Sequence, residues 1–504
     1  MRSLALYSKF LAMFLSSLLV ACGGSSNNST SADQVDDSKT PAPKTYNFTN
    51  STYTAEPADS VSYTGQVARQ LLIMGMVDEM NAMTESGKTE EQYLLDLDFF
   101  MNGDGANDTA TGFTLKNGLN DGSDILNADT YGAISSGKNL DGKIAGGNGE
   151  GGGETSKLIN DEFIGWSDGL SNGALPIDLV DLWIAQLASQ ASDGTSFSVP
   201  TVDGDVPVNS VQYDEQGRNQ RQLLQKFLMG AVSFSQGTND YFQSNWAVQV
   251  TTQEGSKNYT EAEHNYDEAF GYYGAARDNN DYTDLEARAK SGRDDWKNGY
   301  YDTNGDGFID PRSEFNFGHA QNCAKRDVGR VVGIEDDEND LSKAAMDAFL
   351  AGRHIIANAS AAGSITDAEL EELQGHIKTA ALTWEKCIAA TAIHYINDVS
   401  DDIAEFSNGS YASVSNFTNL GKHWSELKGF ALSLQFSPFS PFRDPAVTAV
   451  DLYDLETVLS NIGDKPVLAN DTQGNIDAYK LDLIEARTIL QNAYSFDPVN
   501  VAEW

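Results

Sequence analysis

Amphipathic helical periodicity is the feature that most constrains the fold of this 504-residue chain. Apolar residues recur every three to four positions over long segments, as the inward faces of packed helices require. A β-like patch at 195–211 is short, and a Gly-, Asn- and Asp-rich stretch at 102–154 favours long loops. The sequence therefore predicts an all-α fold with irregular loop insertions in its first half. The helical segments are 61–83, 177–192, 219–242, 260–277, 341–359, 367–403, 416–436 and 476–494.

The chain begins like a bacterial lipoprotein. A basic start precedes an apolar run at 10–20, which is too short to span a membrane comfortably. The run ends in Leu-Val-Ala-Cys, which resembles a lipobox with Cys22 as the lipidated thiol; a chance cysteine after an ordinary signal peptide is the alternative. Gly23 follows Cys22. By the same resemblance, this residue favours anchoring in the outer membrane, with the rest of the chain in the periplasm or exposed on the cell surface. We expect a signal peptide at 1–21 and a flexible Ser-, Asn- and Pro-rich tether at 22–45.

Strong acidity narrows the set of partners. The chain has 74 Asp and Glu against 33 Lys and Arg, a formal net charge of -41. Such a surface repels nucleic acid and anionic lipid and attracts cations. Exported proteins are also acidic for solubility alone, so the charge excludes a nucleic-acid partner without identifying another one.

The motif Gly421-Lys-His-Trp-Ser-Glu426 lies in a predicted helix, where positions three apart share a face. His423 and Glu426 are therefore predicted to converge, and an imidazole with a carboxylate suits iron, zinc or manganese. The alternative is a histidine that hydrogen-bonds within a bundle beside a solvated glutamate. Trp424 is expected to pack beside the site.

A weak internal repeat strengthens the metal interpretation. Glu-His-Asn-Tyr-Asp-Glu at 263–268 also has a histidine and an acid three residues apart, and His264 precedes His423 by 159 positions. Two related helical bundles, 46–295 and 336–504, would bring such helices together, as bundle cores do at metal sites. The predicted ligands of iron or zinc are then His264, Asp267, Glu268, His423 and Glu426. Chance similarity, with both motifs serving as core hydrogen-bond networks of a scaffold, is the alternative.

These motifs resemble known families. Gly421-x-His423-x-x-Glu426 has the form of the GxHxxE signature of imelysin-like proteins. SVSYTGQVARQLL, EHNYDEAFGYYG and HWSELKGFALSLQF are similar to uncharacterised bacterial lipoproteins known as domain of unknown function 4856. The imelysin resemblance implies two helical bundles, a role in iron uptake and an outer-membrane receptor as partner. The first copy departs from the signature, with Ala262 and Asp267 in place of the glycine and glutamate.

A hydrolase is the least favoured class of function. Some imelysin relatives have been called metallopeptidases, but no HExxH motif occurs. His354, His376 and His394 lie in amphipathic helices and are expected to be surface or core residues, and His319 is unassigned.

A second metal feature lies in the predicted connection at 296–335. Asp-Thr-Asn-Gly-Asp-Gly-Phe-Ile-Asp, starting at position 302, matches the first nine positions of a calcium loop of the EF-hand type. Ser313 stands at the closing position and the glutamate follows one residue later, so the match is incomplete. The alternative is an acidic turn without metal. The predicted calcium ligands are Asp302, Asn304, Asp306, Phe308 (through its carbonyl), Asp310 and Glu314.

Two cysteines remain after Cys22. An exported compartment is oxidising, so Cys323 and Cys387 could form one disulfide; two buried free thiols are nearly as favoured.

Overall fold

Polar side chains accept backbone hydrogen bonds at the start of several helices. The hydroxyl of Thr260 accepts from the N–H of Glu263, and Thr366 does the same for Glu369; in both cases the glutamate accepts in return from the N-cap N–H. Such capping boxes satisfy two of the donors that a helix start leaves open.

The computed structural model describes residues 41–53, 58–83, 87–103, 105–111, 130–147, 158–194, 197–327 and 340–504. Within them the fold is mainly helical, as predicted. The α-helices are α1 (Thr64–Ala82), α2 (Glu90–Asn102), α3 (Tyr131–Ser135), α4 (Pro176–Asp193), α5 (Gln220–Leu228), α6 (Trp246–Gln249), α7 (Glu261–Tyr273), α8 (Asp284–Ala287), α9 (Gly318–Asp327), α10 (Leu341–Ala362), α11 (Asp367–Ala404), α12 (Val414–Ser433), α13 (Leu452–Ile462), α14 (Gln473–Tyr494) and α15 (Pro498–Glu503).

The long helix α11 organises the second half. It packs against α10 and α12, and α12 in turn packs against α5 from the first half. Residues Ala42–Trp504 form one compact unit, so helices of both predicted halves share one core. The internal duplication and its boundaries stay predictions.

One short hairpin interrupts the helices. Strands β1 (Phe197–Thr201) and β2 (Gly204–Val208) pair antiparallel, with Phe197 opposite Val208. The hairpin lies within the patch at 195–211, and at five residues each the strands are as short as the sequence indicated.

The predicted helix at 219–242 differs from the structure after α5. Residues Met229–Phe234 and Gln236–Asp240 form π-helix turns. A π turn breaks the ordinary hydrogen-bond ladder, and the Met229 carbonyl instead accepts from His319 Nε2 at 2.9 Å. Burial lowers the pKa of His319 to about 4, which keeps the ring neutral. A Cβ at Gly230 would lie 1.9 Å from the Ser433 hydroxyl oxygen, so only glycine allows this contact with α12.

Glu385 on α11 links pH to stability. Its side chain is buried, and the Tyr494 hydroxyl donates to Oε1 at 2.7 Å. Burial raises the pKa of Glu385 from 4.5 to about 7, although hydrogen bonds from Ser440 and Tyr494 act in the opposite direction. Between these values the unfolded chain loses the proton before the folded chain does. The contribution of Glu385 to the free energy of unfolding therefore falls as pH rises through this range.

We expect Glu385→Gln to remove this pH dependence. Relative to the parent, the free energy of unfolding of the variant should increase by up to about 3 kcal/mol between about pH 5 and about pH 8. Urea unfolding at both pH values measures the difference. Glu371→Gln, an exposed change on the same helix, should stay within about 0.5 kcal/mol of the parent. A difference between Glu385→Gln and the parent that does not change with pH would contradict the expectation.

Candidate functional site

The first motif supplies carboxylates to a buried ion network. Glu263 and Asp267 lie one turn apart on α7, and both are fully buried. Arg353 of α10 contacts both carboxylates, with Nη1 2.9 Å from Glu263 Oε1 and Nε 2.7 Å from Asp267 Oδ1. A guanidinium between two carboxylates satisfies charges that would otherwise be costly to bury.

Each carboxylate oxygen of Asp267 also accepts a further hydrogen bond. The Tyr46 hydroxyl donates to Oδ1 at 3.0 Å, and the Ser62 N–H donates to Oδ2 at 3.1 Å. Burial raises the pKa of Asp267 to about 6, against the lowering effect of Arg353. Its surroundings therefore make Asp267 a structural carboxylate that joins α7 to α10.

His264 and Glu268 face away from this network. The Ser62 carbonyl accepts from His264 Nδ1 at 3.1 Å, and Nε2 lies 3.8 Å from Glu268 Oε1. The same glutamate oxygen accepts from Gln66 Nε2 at 2.8 Å. Both side chains line a cavity of about 310 Å³.

In the second motif, Glu426 is also paired within the core. Lys226 Nζ of α5 lies 3.3 Å from Glu426 Oε1, and both side chains are largely buried. Burial lowers the pKa of Lys226 and Glu426 raises it, with the lowering effect larger. The motif glycine has a packing role, since a Cβ at Gly421 would lie 2.8 Å from the Gly217 carbonyl oxygen. Trp424 is buried and donates from Nε1 to the Ile462 carbonyl at 3.2 Å.

His423 instead meets α11. Its Nδ1 donates to Asp402 Oδ2 at 2.8 Å, and its Nε2 lies 3.8 Å from Asp398 Oδ2. The same Asp398 oxygen lies 3.3 Å from His394 Nε2, one turn earlier on α11. Two imidazoles therefore face one carboxylate oxygen. The three side chains are 19–29% exposed, so solvent ions can reach them.

The electrostatics of the two imidazoles differ. Burial lowers the pKa of His423, but the hydrogen bond and charge of Asp402 outweigh it, and the pKa is raised overall. Burial and the nearby Arg326 lower the pKa of His394, while Asp398 raises it. A metal ion requires both rings neutral at the bound nitrogen, and His394 is already biased to that form.

The five predicted ligands thus occupy separate environments. Asp267 faces Arg353, His264 and Glu268 line the cavity, Glu426 faces Lys226, and His423 faces α11. In the described part of the chain, the one group of three acidic or ligating residues whose ligand atoms all lie within 4.8 Å is Asp284, Asp327 and Asp340.

Sequence reasoning missed three residues beside His423. Asp398 follows His394 by four positions and Asp402 follows it by eight, which places all three along one face of α11. This spacing was visible in the sequence. What the sequence did not show is that His423 lies against that face.

Side-chain to backbone hydrogen bonds shape the predicted calcium loop. Asp302 accepts from the backbone N–H groups of Gly305, Asp306 and Gly307, and the Asn304 side chain accepts from that of Asp306. These hydrogen bonds hold the side chains of Asp302 and Asn304 against the backbone of the loop. Calcium occupancy stays a prediction.

The closing residues of this loop already have partners. Glu314 is buried, and its two oxygens accept from the backbone N–H groups of Thr303, Asn304 and Asp310. Burial raises the pKa of Glu314 to about 7. Arg312 holds Asp310 at 2.8 Å. Glu314 therefore hydrogen-bonds to the loop backbone from its buried side, and its role as a calcium ligand, like that of the Phe308 carbonyl, stays a prediction.

The predicted signal peptide, the lipidated Cys22 and nearly all of the tether lie outside the described residues. Among the helices that are described, none has the length and apolarity needed to cross a bilayer. Cys323 of α9 and Cys387 of α11 form a disulfide in the structure.

The protein is therefore mainly helical, and its two motif helices each carry a histidine that lies close to an acidic side chain. Residues 43–290 match the family described as Domain of unknown function (DUF4856). The predicted resemblance to this group is confirmed, whereas the imelysin resemblance stays a prediction. No curated protein and no solved structure matches the chain.

Proposed function

We propose that this protein is a lipid-anchored binding protein of the bacterial outer membrane that holds one transition-metal ion, iron or zinc, between α11 and α12. The ligands are His394, Asp398 and His423, and Asp402 orients His423. This set keeps one histidine of the original prediction and replaces its partners. The anchor is Cys22, and an accessory role in iron uptake with an outer-membrane receptor follows from the imelysin resemblance.

One observation carries the proposal: a single oxygen, Asp398 Oδ2, faces Nε2 of both His394 and His423 at 3.3 and 3.8 Å. Ligands bound at about 2.0–2.1 Å to a tetrahedral ion lie about 3.4 Å from one another. The separations to the carboxylate therefore suit two ligands of one ion. The three atoms do not all lie within 4.8 Å of one another, so binding draws the two rings toward Asp398.

The chemistry of the donor set supports iron or zinc. Two imidazoles with one carboxylate are used by both zinc sites and non-heme iron(II) sites, with positions left for water or a ligand. The hydrogen bond from His423 Nδ1 to Asp402 is the carboxylate–histidine pairing that orients metal-binding imidazoles. The net charge of -41 favours the approach of cations.

Isothermal titration of Zn²⁺ into tag-free, chelator-treated protein tests the proposal. We expect one tight site per chain in the parent and its loss in His423→Ala and in His394→Ala. Asp402→Asn should weaken binding by about 10- to 100-fold, since it removes only the orienting group. His376→Ala removes another imidazole from α11 and should bind zinc as the parent does.

Anaerobic titration with Fe²⁺ in the same variants decides between the two metals. If His423→Ala binds zinc as tightly as the parent does, and also binds iron as tightly as the parent does, the assignment of the site is wrong.

A further inference from the structure

A second site lies in the first half, at the cavity of about 310 Å³ that His264 and Glu268 line. Its wall also includes Arg69 of α1 and Lys138 and Lys143 from the segment after α3. A volume near 300 Å³ is at the lower end of the range for small-molecule sites. The cavity is therefore large enough for a small organic molecule.

The wall of this cavity carries a net charge opposite in sign to that of the whole protein. Lys257 is the fourth cation in the wall, and Glu254 and Glu268 are its two carboxylates, which leaves a formal charge of +2 with neutral histidine. The whole chain carries -41. A concave wall of one sign concentrates ions of the opposite sign. Anions, repelled elsewhere on this surface, are attracted here.

Three of the four cations are shielded from water: Arg69 is buried and Lys138 and Lys143 are partly buried, whereas Lys257 is exposed. Lys143 Nζ lies 5.5 Å from the centre of the Tyr241 ring, and Arg69 is buried, with Nε donating to the Asn139 carbonyl at 2.8 Å. Burial first, and then the charge of Arg69, lowers the pKa of both Lys138 and Lys143, while Glu268 raises it. An anion among these groups offsets both their desolvation and their mutual repulsion.

Neutral polar groups complete the wall. Ser62, Thr64 and Ser135 supply hydroxyls, and Tyr241 and Tyr259 supply aromatic faces with phenolic groups. The carboxylate of Glu268 can accept from a ligand hydroxyl. Inorganic phosphate alone would leave most of these groups without a contact.

We propose that this cavity binds a small, hydroxylated organic anion with two or more negative charges, carried by carboxylate or phosphate-ester groups, with Lys138, Lys143 and Arg69 as its charge partners. The site is independent of the metal ligands on α11 and α12. It lies wholly within residues 43–290, the segment that the family shares.

Titration calorimetry on chelator-treated protein tests this site with four probes: citrate, glycerol 3-phosphate, inorganic phosphate and neutral glycerol. We expect citrate or glycerol 3-phosphate to bind at least 10-fold more tightly than inorganic phosphate, and glycerol not to bind. Citrate alone would assign the carboxylate class, and glycerol 3-phosphate alone the phosphate esters. No binding of either, or binding of inorganic phosphate as tight as theirs, would overturn the proposal.

Variants assign the binding to the cavity. Lys138→Gln and Lys143→Gln should each weaken it by 10-fold or more, whereas Lys297→Gln, which removes an exposed lysine paired with Asp294, should not change it. Lys138 is half-buried, so we expect Lys138→Gln to fold. Its affinity for the anions therefore tests the site even if Lys143→Gln does not fold. Affinity unchanged in a folded Lys138→Gln would contradict the site. His423→Ala should bind the anions as the parent does, so failure of the metal proposal leaves this test intact.

Discussion

Replacing Arg353 by methionine is expected to lower the free energy of unfolding by about 3–5 kcal/mol. Arg353 is fully buried between Glu263 and Asp267, at 2.9 and 2.7 Å. Methionine fills similar space but leaves two buried carboxylates without their cation, and the cost of an unpaired buried charge is the largest contribution to the effect. Urea unfolding at neutral pH, followed by circular dichroism, measures it.

A matched change on the same helix separates this effect from loss of charge as such. Lys343 on α10 pairs with Asp347 at the surface, and Lys343→Met should change stability by no more than about 1 kcal/mol. Adding Glu263→Gln and Asp267→Asn to Arg353→Met should restore part of the loss, because the carboxylates are then neutral. An Arg353→Met protein as stable as the Lys343→Met protein would show that the network does not stabilise the fold.

Removal of the disulfide is the second large effect that we expect. Cys323 and Cys387 are 64 positions apart and connect α9 to α11. Closing a loop of this length restricts the unfolded chain, by about 4 kcal/mol in the chain-entropy relation, and measured effects are commonly about 2–4 kcal/mol. The double variant Cys323→Ala, Cys387→Ala should therefore unfold at lower urea concentration than the oxidised parent.

Thiol counting provides the control for the disulfide. In a mature chain that carries Cys22→Ser, the unfolded, unreduced protein should contain no free thiol and the reduced protein should contain two. Reduction should also lower the stability of the parent to that of the double variant while leaving the variant unchanged. Two free thiols before reduction would contradict the bond. A structural disulfide accords with an exported chain.

Most of the long helices could be predicted from sequence because their apolar faces repeat with the helical period. The segments predicted at 61–83, 367–403 and 416–436 correspond to α1, α11 and α12. The π turns after α5 could not be predicted, since they depend on the close approach of Gly230 to Ser433 and on the hydrogen bond from His319 to Met229. Those contacts join segments that are far apart in the chain.

The candidate site was predicted less well, for a geometric reason. Residues three apart on a helix differ by about 60° in direction, and both motif helices are packed on more than one side. His423 therefore meets α11 while Glu426 meets Lys226 of α5. His264 and Asp267 diverge in the same way, toward the cavity and toward Arg353. Residues that the sequence predicts on one helix face therefore contact different partners in the structure.

An anomalous-scattering measurement tests the central claim most directly. Crystals of tag-free protein equilibrated with Zn²⁺, recorded at the zinc absorption edge, should show one strong peak about 2.0–2.2 Å from Nε2 of His394 and His423 and from an oxygen of Asp398. The same crystals of His423→Ala should lose it. A peak confined to the Asp284, Asp327 and Asp340 group, or to the loop at Asp302, with none beside His423, would contradict the account.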